Sequence, residues 1–317
     1  MRYFVSGIYK LGNIKNPYCK MRISNLPFTI LKEFVAPNLK KLGTYYVEKA
    51  VKAIDGMPIT IAKINSGHYI DRIRPHSKDF RATKIQELSY IKDKNILNSK
   101  IINHEFGRAN VPGDAMFYGS LMTPEIQQNR ATAFMETSNM FDDLEIEEEY
   151  FTVSRWDIIE TFEVYEVVFQ DEIEQITKSV VNNRKVQENF IKNITNGNSL
   201  EIEEAHEKLS FFSKEFGKHV KKEDNKLYRI SAFFTKIFLA HPQSKNKVWG
   251  IVYPSVKSRH LGQNLAILPL SADRFLKFHR ADVMKATRQK DGKIVISKSI
   301  ASTESIDQNG NLIWEEK

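Results

Sequence analysis

The chain has a single cysteine, Cys19, among 317 residues. That excludes an internal disulfide framework and any cysteine-rich metal site. No apolar run approaches the ~18 residues of a membrane span. The opening residues, Met1 to Lys10, have neither the unbroken apolar core nor the small-residue cleavage site of a secretory signal. A cytoplasmic protein with no membrane partner is expected. The 8 histidines are scattered, with no pair at the helical spacing that holds a metal. The sequence also lacks a Gly-x-x-x-x-Gly-Lys-Ser/Thr phosphate loop, a Gly-x-Gly-x-x-Gly turn and a Gly-x-Ser-x-Gly nucleophile elbow. It shows no internal repeat, helix-turn-helix or aromatic-studded RNA-binding motif.

What is present is ordinary in bulk: 41% hydrophobic and 27% charged residues, enough to bury a substantial core. The net charge of +8 admits an anionic partner. The lysines are widely spread, however, and an acidic run, Asp142 to Glu149, interrupts them. Residues 1–66 read as a leader of mixed helix and strand, helical from Leu26 to Ala53 with breaks near Pro37 and Gly43, and extended from Met57 to Ile64. Strands are expected at Ala115–Gly119, Tyr150–Trp156, Ile158–Phe169, Val248–Tyr253 and Leu265–Leu268, where β-branched and aromatic residues dominate. Residues 171–241 read as helical. Asn198 is placed to cap a helix whose stripe of Leu200, Ala205, Leu209, Phe212 and Phe216 packs inward. Asp291-Gly292 and Asn309-Gly310 each mark a hairpin in 273–317. The class is α+β.

A few residues carry chemistry. In Ile70-Asp71-Arg72-Ile73-Arg74-Pro75, alternation places Arg72 and Arg74 on one face of an extended segment that Pro75 should stop. A guanidinium can bond two oxygens of a diphosphate at once. Arg108 lies in a loop, Gly107-Arg108-Ala109-Asn110-Val111-Pro112-Gly113, whose glycines permit close backbone approach to a ligand. Tyr118 ends a short apolar strand and offers a ring to stack. Glu136 follows the apolar or small residues of Ala131–Met135, where a carboxylate is costly unless paired or used. It is suited to stabilising positive charge on a ribose carbon as an N-glycosidic bond breaks. Ser255 stands at the end of a buried strand, after Tyr253-Pro254. An arginine for phosphate, an aromatic ring, a carboxylate and a serine together point to nucleotide glycosidic chemistry.

In this order the residues resemble the RES domain family, named for its Arg, Glu and Ser. The likeness runs through Arg72, Gly107-Arg108-Ala109-Asn110, Pro112-Gly113, Phe117-Tyr118-Gly119-Ser120, Ala133-Phe134-Met135-Glu136, Gly250 to Ser255 and Gly262-Gln263-Asn264, roughly residues 68–270. It implies an ADP-ribosyltransferase-like β core with a helical insertion and added terminal elements: a catalytic domain at 67–272 containing the helical region 171–241, and a hairpin extension at 273–317. It implies NAD+ as substrate, cleaved at the nicotinamide–ribose bond by water or phosphate, with no metal. By the same resemblance Arg72 (or Arg74) would hold phosphate or orient ribose, and Arg108 would clamp the diphosphate with Asn110 and Asn264 nearby. Tyr118 would lie against the nicotinamide end, Glu136 would stabilise the oxocarbenium-like transition state, and Ser255 would orient nicotinamide. Members of the family include toxins held in check by antitoxins, so an inhibitory or gating partner is implied, and a homo-oligomer stays open. Ala109 stands where the family carries an aromatic, and the stretch from Glu136 to Ser255 is longer than in compact members. Two other readings remain: an ADP-ribosyltransferase with a macromolecular acceptor, and a basic nucleic-acid-binding protein without activity.

Overall fold

The computed structural model describes residues 26–54, 56–90, 105–168 and 178–317. In chain order its strands are β1 (Thr60–Ile64), β2 (Tyr69–His76), β3 (Phe117–Leu121), β4 (Glu148–Ile158), β5 (Phe162–Glu166), β6 (Val248–Pro254), β7 (Gln263–Ile267), β8 (Leu276–Arg288), β9 (Ile294–Ile296), β10 (Ala301–Ile306) and β11 (Leu312–Glu316). The helices used below are α1 (Thr44–Lys52), α2 (Ile85–Leu88), α3 (Asn129–Thr137), α4 (Lys178–Ile194), α5 (Ser199–Gly217) and α6 (Arg229–Ala240). The fold is mixed α+β, and most strand pairs are antiparallel. No helix among the described residues is long and apolar enough to cross a membrane.

The chain divides into two compact units, and neither is continuous in sequence. One takes the described residues of 1–63, 102–114 and 163–254; the other takes those of 64–101, 115–162 and 255–317.

In the first unit β5 runs parallel to β6, with Glu163 opposite Val248 and Glu166 opposite Val252. Parallel neighbours cannot be joined by a tight turn, so the chain must cross over between them. The described part of the stretch expected as helical, residues 178–241, lies within that crossover, and 171–177 lie outside the described residues. It carries α4, α5 and α6, and its phenylalanines make the core. The Phe212 and Phe234 rings lie 4.2 Å apart and Phe234 stacks on Phe238 at 4.3 Å, while Phe216 packs against Tyr253 of β6 at 5.6 Å. Asn198 caps α5 as its sequence implies, its side chain accepting from the amides of Leu200 and Glu201. Leu200, assigned to the packing stripe, is instead exposed, as are Ser199 and Glu201 beside it in the first turn of α5. The expected strand Ile158–Phe169 is broken: β4 ends at Ile158 and β5 begins at Phe162, with exposed residues between.

A buried carboxylate in this unit makes its stability depend on pH. Glu166 accepts a hydrogen bond from Asn183 Nδ2 at 2.8 Å, and burial raises its pKa from 4.5 to about 7. Between about pH 4.5 and 7 the folded chain therefore keeps a proton that the unfolded chain has released. Stability should fall as pH rises through that window and level off above it. The expected loss is about 3 kcal/mol between pH 5 and 8 by denaturant titration. Glu166→Gln, which keeps an acceptor for Asn183, should be flat over the same range, and an equally steep variant would show that another group is responsible.

The second unit holds β7-β3-β2-β4-β8-β10-β11 in that order, with β9 on β8. The segment expected as a hairpin extension is integral to it. β8 pairs with β4 from Glu148–Thr287 to Ile158–Leu276. The two Gly-containing turns do form hairpins, β8–β9 and β10–β11. On one face of this sheet α3 packs Ala133 and Phe134 against Ile73, Phe151 and Val153. On the other, Phe117, Trp156 and Phe278 form an edge-to-face row. Pro75 does not stop β2, which runs on to His76 alongside β4. The register of β2 with β3 consists of Asp71–Ser120 alone, so the amide that proline lacks is not needed on that side.

Candidate functional site

Glu136 and Ser255, 119 residues apart, meet in the second unit, where Ser255 Oγ donates to Glu136 Oε1 at 2.5 Å. The Lys257 amide donates to the same oxygen at 3.3 Å. Glu136 lies in the last turn of α3 and is half-buried, while Ser255 is fully buried. Among the described residues nothing bonds the second oxygen, Oε2, and no cation pairs with the carboxylate. Arg130, the neighbour that could have neutralised it, stands exposed on α3.

The segment Ser255–Gly262 is built to hold that contact. Ser255 N donates to Gly262 O at 2.8 Å and His260 N donates to Ser255 O at 2.8 Å, closing the loop on itself. Ser258 N donates to Ser255 Oγ at 3.2 Å, leaving the hydroxyl hydrogen for Glu136. Ser258 Oγ in turn accepts from Gly262 N at 2.9 Å. Lys257 fastens the loop to the chain beyond α3, its ammonium donating to Asp142 Oδ2 at 2.6 Å and to Ser138 O at 3.4 Å. Gly262 sits so close to α3 that a Cβ there would be 2.2 Å from Thr132 Oγ1. Lys257, Asp142 and the Gly262–Thr132 approach were missed in the sequence. Only the glycine carried a signal, the usual one for close backbone approach.

Asn264 and Ser120 are direct partners in the β3–β7 ladder, and Ser120 Oγ donates to Asn264 Oδ1 at 2.9 Å. Asn129 Nδ2 donates to both Tyr69 O and Ser120 O at 3.1 Å, fixing the start of α3 over these strands. By alternation from the Asp71–Ser120 pair, Tyr118 shares a face with Ser120 and Ile73, the face that α3 covers.

Arg72 lies on the other face with Arg74 and Phe117, its guanidinium 5.5 Å from the Phe117 ring centre. It donates from Nη1 to the Tyr118 carbonyl at 2.6 Å, and among the described residues its buried Nε has no partner. Burial first, then the charge of Arg74, lowers its pKa to about 9, so it remains a cation at neutral pH. Burial also lowers the pKa of Arg74. The Arg72 site is thus linked to Tyr118 through the backbone, and the sheet separates it from the face of α3. Gly119 permits this junction, since a Cβ there would lie 2.3 Å from Ile70 Cγ2.

Arg108 and Asn110 belong to the first unit. The Arg108 guanidinium is buried, donating to the carbonyls of Phe216 and Lys218 at the end of α5 and to the Tyr228 hydroxyl. The last carbonyls of a helix lack intrahelical donors, and an arginine that supplies them acts as a cap. Asn110 is buried, with Nδ2 donating to Val111 O at 3.2 Å. No group of three or more histidine, cysteine, aspartate or glutamate side chains among the described residues is arranged to hold a metal.

No protein-family model matches the chain, and no curated protein matches it significantly.

Proposed function

We propose that this protein cleaves the nicotinamide–ribose bond of NAD+, with water or phosphate as the acceptor. The observation that carries the reading is the Glu136 carboxylate, with one oxygen fixed by Ser255 Oγ at 2.5 Å and the Lys257 amide at 3.3 Å. A carboxylate already oriented needs no reorganisation when positive charge develops beside it. In the proposed reaction the bond between ribose C1′ and the pyridinium nitrogen breaks, and its electron pair neutralises the ring. Nicotinamide then leaves without a general acid. The oxygen of water or phosphate forms the new bond to C1′; water loses one proton, giving ADP-ribose, whereas phosphate gives ADP-ribose 1-phosphate. Glu136 Oε2 faces the developing cation, and Tyr118, on the α3 face, lies against the nicotinamide end. Ser255 acts through Glu136 as a positioning residue rather than on nicotinamide itself. The second unit would be the ADP-ribosyltransferase-like core, and the enzyme would work in the cytoplasm under an inhibitory partner.

The test is to incubate the purified chain with NAD+, with and without phosphate, and to follow nicotinamide, ADP-ribose and its 1-phosphate. Nicotinamide release is expected, and the product identifies the nucleophile. No release in either condition overturns the proposal. Labelling of an added protein or nucleic acid without free product would replace it with a transferase.

A further inference from the structure

We infer that the face of β2 opposite α3 carries a second ligand site, one for a free tetrahedral oxyanion of the phosphate class, with Arg72, Arg74 and Arg81 as its cations. Strand alternation puts residues 70, 72, 74 and 76 on this face, with Ser154 of β4 opposite Arg72 and Thr152 opposite Arg74. The chain beyond β2 turns back onto it. The Phe80 ring lies 5.3 Å from the His76 ring, and the Leu88 carbonyl, at the end of α2, accepts from Ser154 Oγ at 3.4 Å. The floor beside Arg72 is apolar, with the Phe117 ring centre 5.5 Å from its guanidinium and Trp156 edge-on to Phe117.

The charges on this face do not balance. Among the described residues no carboxylate pairs with any of the three arginines. Arg72 gives Nη1 to Tyr118 O, and its buried Nε has no partner. Arg81 gives Nη1 to Phe80 O at 3.1 Å and Lys78 O at 3.4 Å, and its Nε is likewise buried without a partner. Arg74 is half-buried and makes no hydrogen bond or ion pair among the described residues. Glu87 is near enough to favour the Arg74 cation, but its Oε2 already accepts from Thr83 N at 2.6 Å, Lys84 N at 2.9 Å and Thr83 Oγ1 at 3.1 Å. His76 offers neither charge nor a free donor. Its Nδ1 donates to Ser77 O at 2.8 Å and its Nε2 accepts from Thr152 Oγ1 at 2.9 Å, the neutral tautomer, and burial lowers its pKa.

Three cations and one carboxylate thus share a face with apolar residues, an arrangement that is costly without a bound anion. The donors left over belong to guanidinium groups, whose planar forks match pairs of oxygens on a phosphate-like ion. This is not the Glu136 centre, because the sheet lies between Arg72 and the face that α3 covers. An anion here is therefore a ligand in its own right rather than the diphosphate of a nucleotide held at Glu136.

Thermal melts in phosphate and in chloride at equal ionic strength test the site. Phosphate at about a hundred times its dissociation constant should raise the wild-type melting temperature by about 3–6 °C. Arg74→Met should melt at or above the wild type in chloride, since it removes an unpaired half-buried cation, and should gain less than about 1 °C from phosphate. Calorimetric titration with phosphate should show binding weakened about tenfold or more in Arg74→Met and in Arg81→Gln. Glu136→Gln should bind phosphate as the wild type does. Binding is read without turnover, so the result is independent of nicotinamide release. An equal phosphate response in wild type and both variants, or none in the wild type, overturns the inference. So does an Arg74→Met protein less stable than the wild type in chloride, which would mean that the cation is already satisfied. Displacement of phosphate from the wild type by ADP-ribose would make the ligand a nucleotide and likewise remove the separate site.

Discussion

Glu136→Gln should lower kcat for nicotinamide release by about a thousandfold while leaving the fold intact. The amide is isosteric with the carboxylate, and its carbonyl can take the place of Oε1, accepting from Ser255 Oγ and Lys257 N as the native oxygen does. Stability should therefore change by less than about 1 kcal/mol. What disappears is the negative charge, and the NH2 group now occupies the place of Oε2. A unit charge about 4 Å from a developing cation is worth about 4 kcal/mol at an effective dielectric constant of about 20. That energy corresponds to about three orders of magnitude in rate. Because the charge interaction matters mainly in the transition state, kcat should drop and KM should barely move. Ser255→Ala should cost less, about tenfold, since Glu136 keeps its charge and the Lys257 amide and loses one neutral donor. Single-turnover nicotinamide release, with a thermal melt of each variant, checks both. Wild-type rates in Glu136→Gln would remove Glu136 from the chemistry.

The legible parts of the molecule were those decided locally. Asn198 reads as a cap because its partners are two and three residues away, and the turns at Gly292 and Gly310 read as hairpins because glycine supplies the positive φ, 83° and 79°. Glu136 stood out because a carboxylate amid small and apolar residues needs a reason, but nothing local says that the serine 119 residues later is its donor. Arg108 shows the limit most clearly. A Gly-flanked arginine before a Pro-Gly turn has the composition of an anion-binding loop. Its partners are carbonyls 108 and 110 residues away, at a helix end whose location depends on the fold. Alternation placed Arg72 and Arg74 on one face correctly, yet which face α3 would cover depends on packing around Ile73. Likewise β8 to β11 looked like an addition because their hairpins are local, whereas the β4–β8 ladder that makes them integral is not.

Gly262→Ala should be the most damaging small substitution at the site. The new methyl would lie 2.2, 2.5 and 2.9 Å from Oγ1, Cγ2 and Cβ of Thr132, distances that real Cβ atoms do not reach. Thr132 is fully buried on α3, so rotating its side chain does not relieve the contact with its Cβ. The loop must move away from the helix instead. Movement there acts on the chemistry at once, because Gly262 O accepts the Ser255 amide at 2.8 Å and Ser255 Oγ is the 2.5 Å donor to Glu136. Overpacking of this kind costs about 1–3 kcal/mol, and displacing a positioned group by about 1 Å costs about a hundredfold in rate. Both effects are expected, read by denaturant titration and by kcat. Thr132→Ala added to Gly262→Ala removes the two closest atoms and should recover most of the stability and part of the rate. An alanine variant as stable and as active as the wild type would mean that the loop and α3 are not held at this spacing, and the fixed Glu136–Ser255 contact would fall with it.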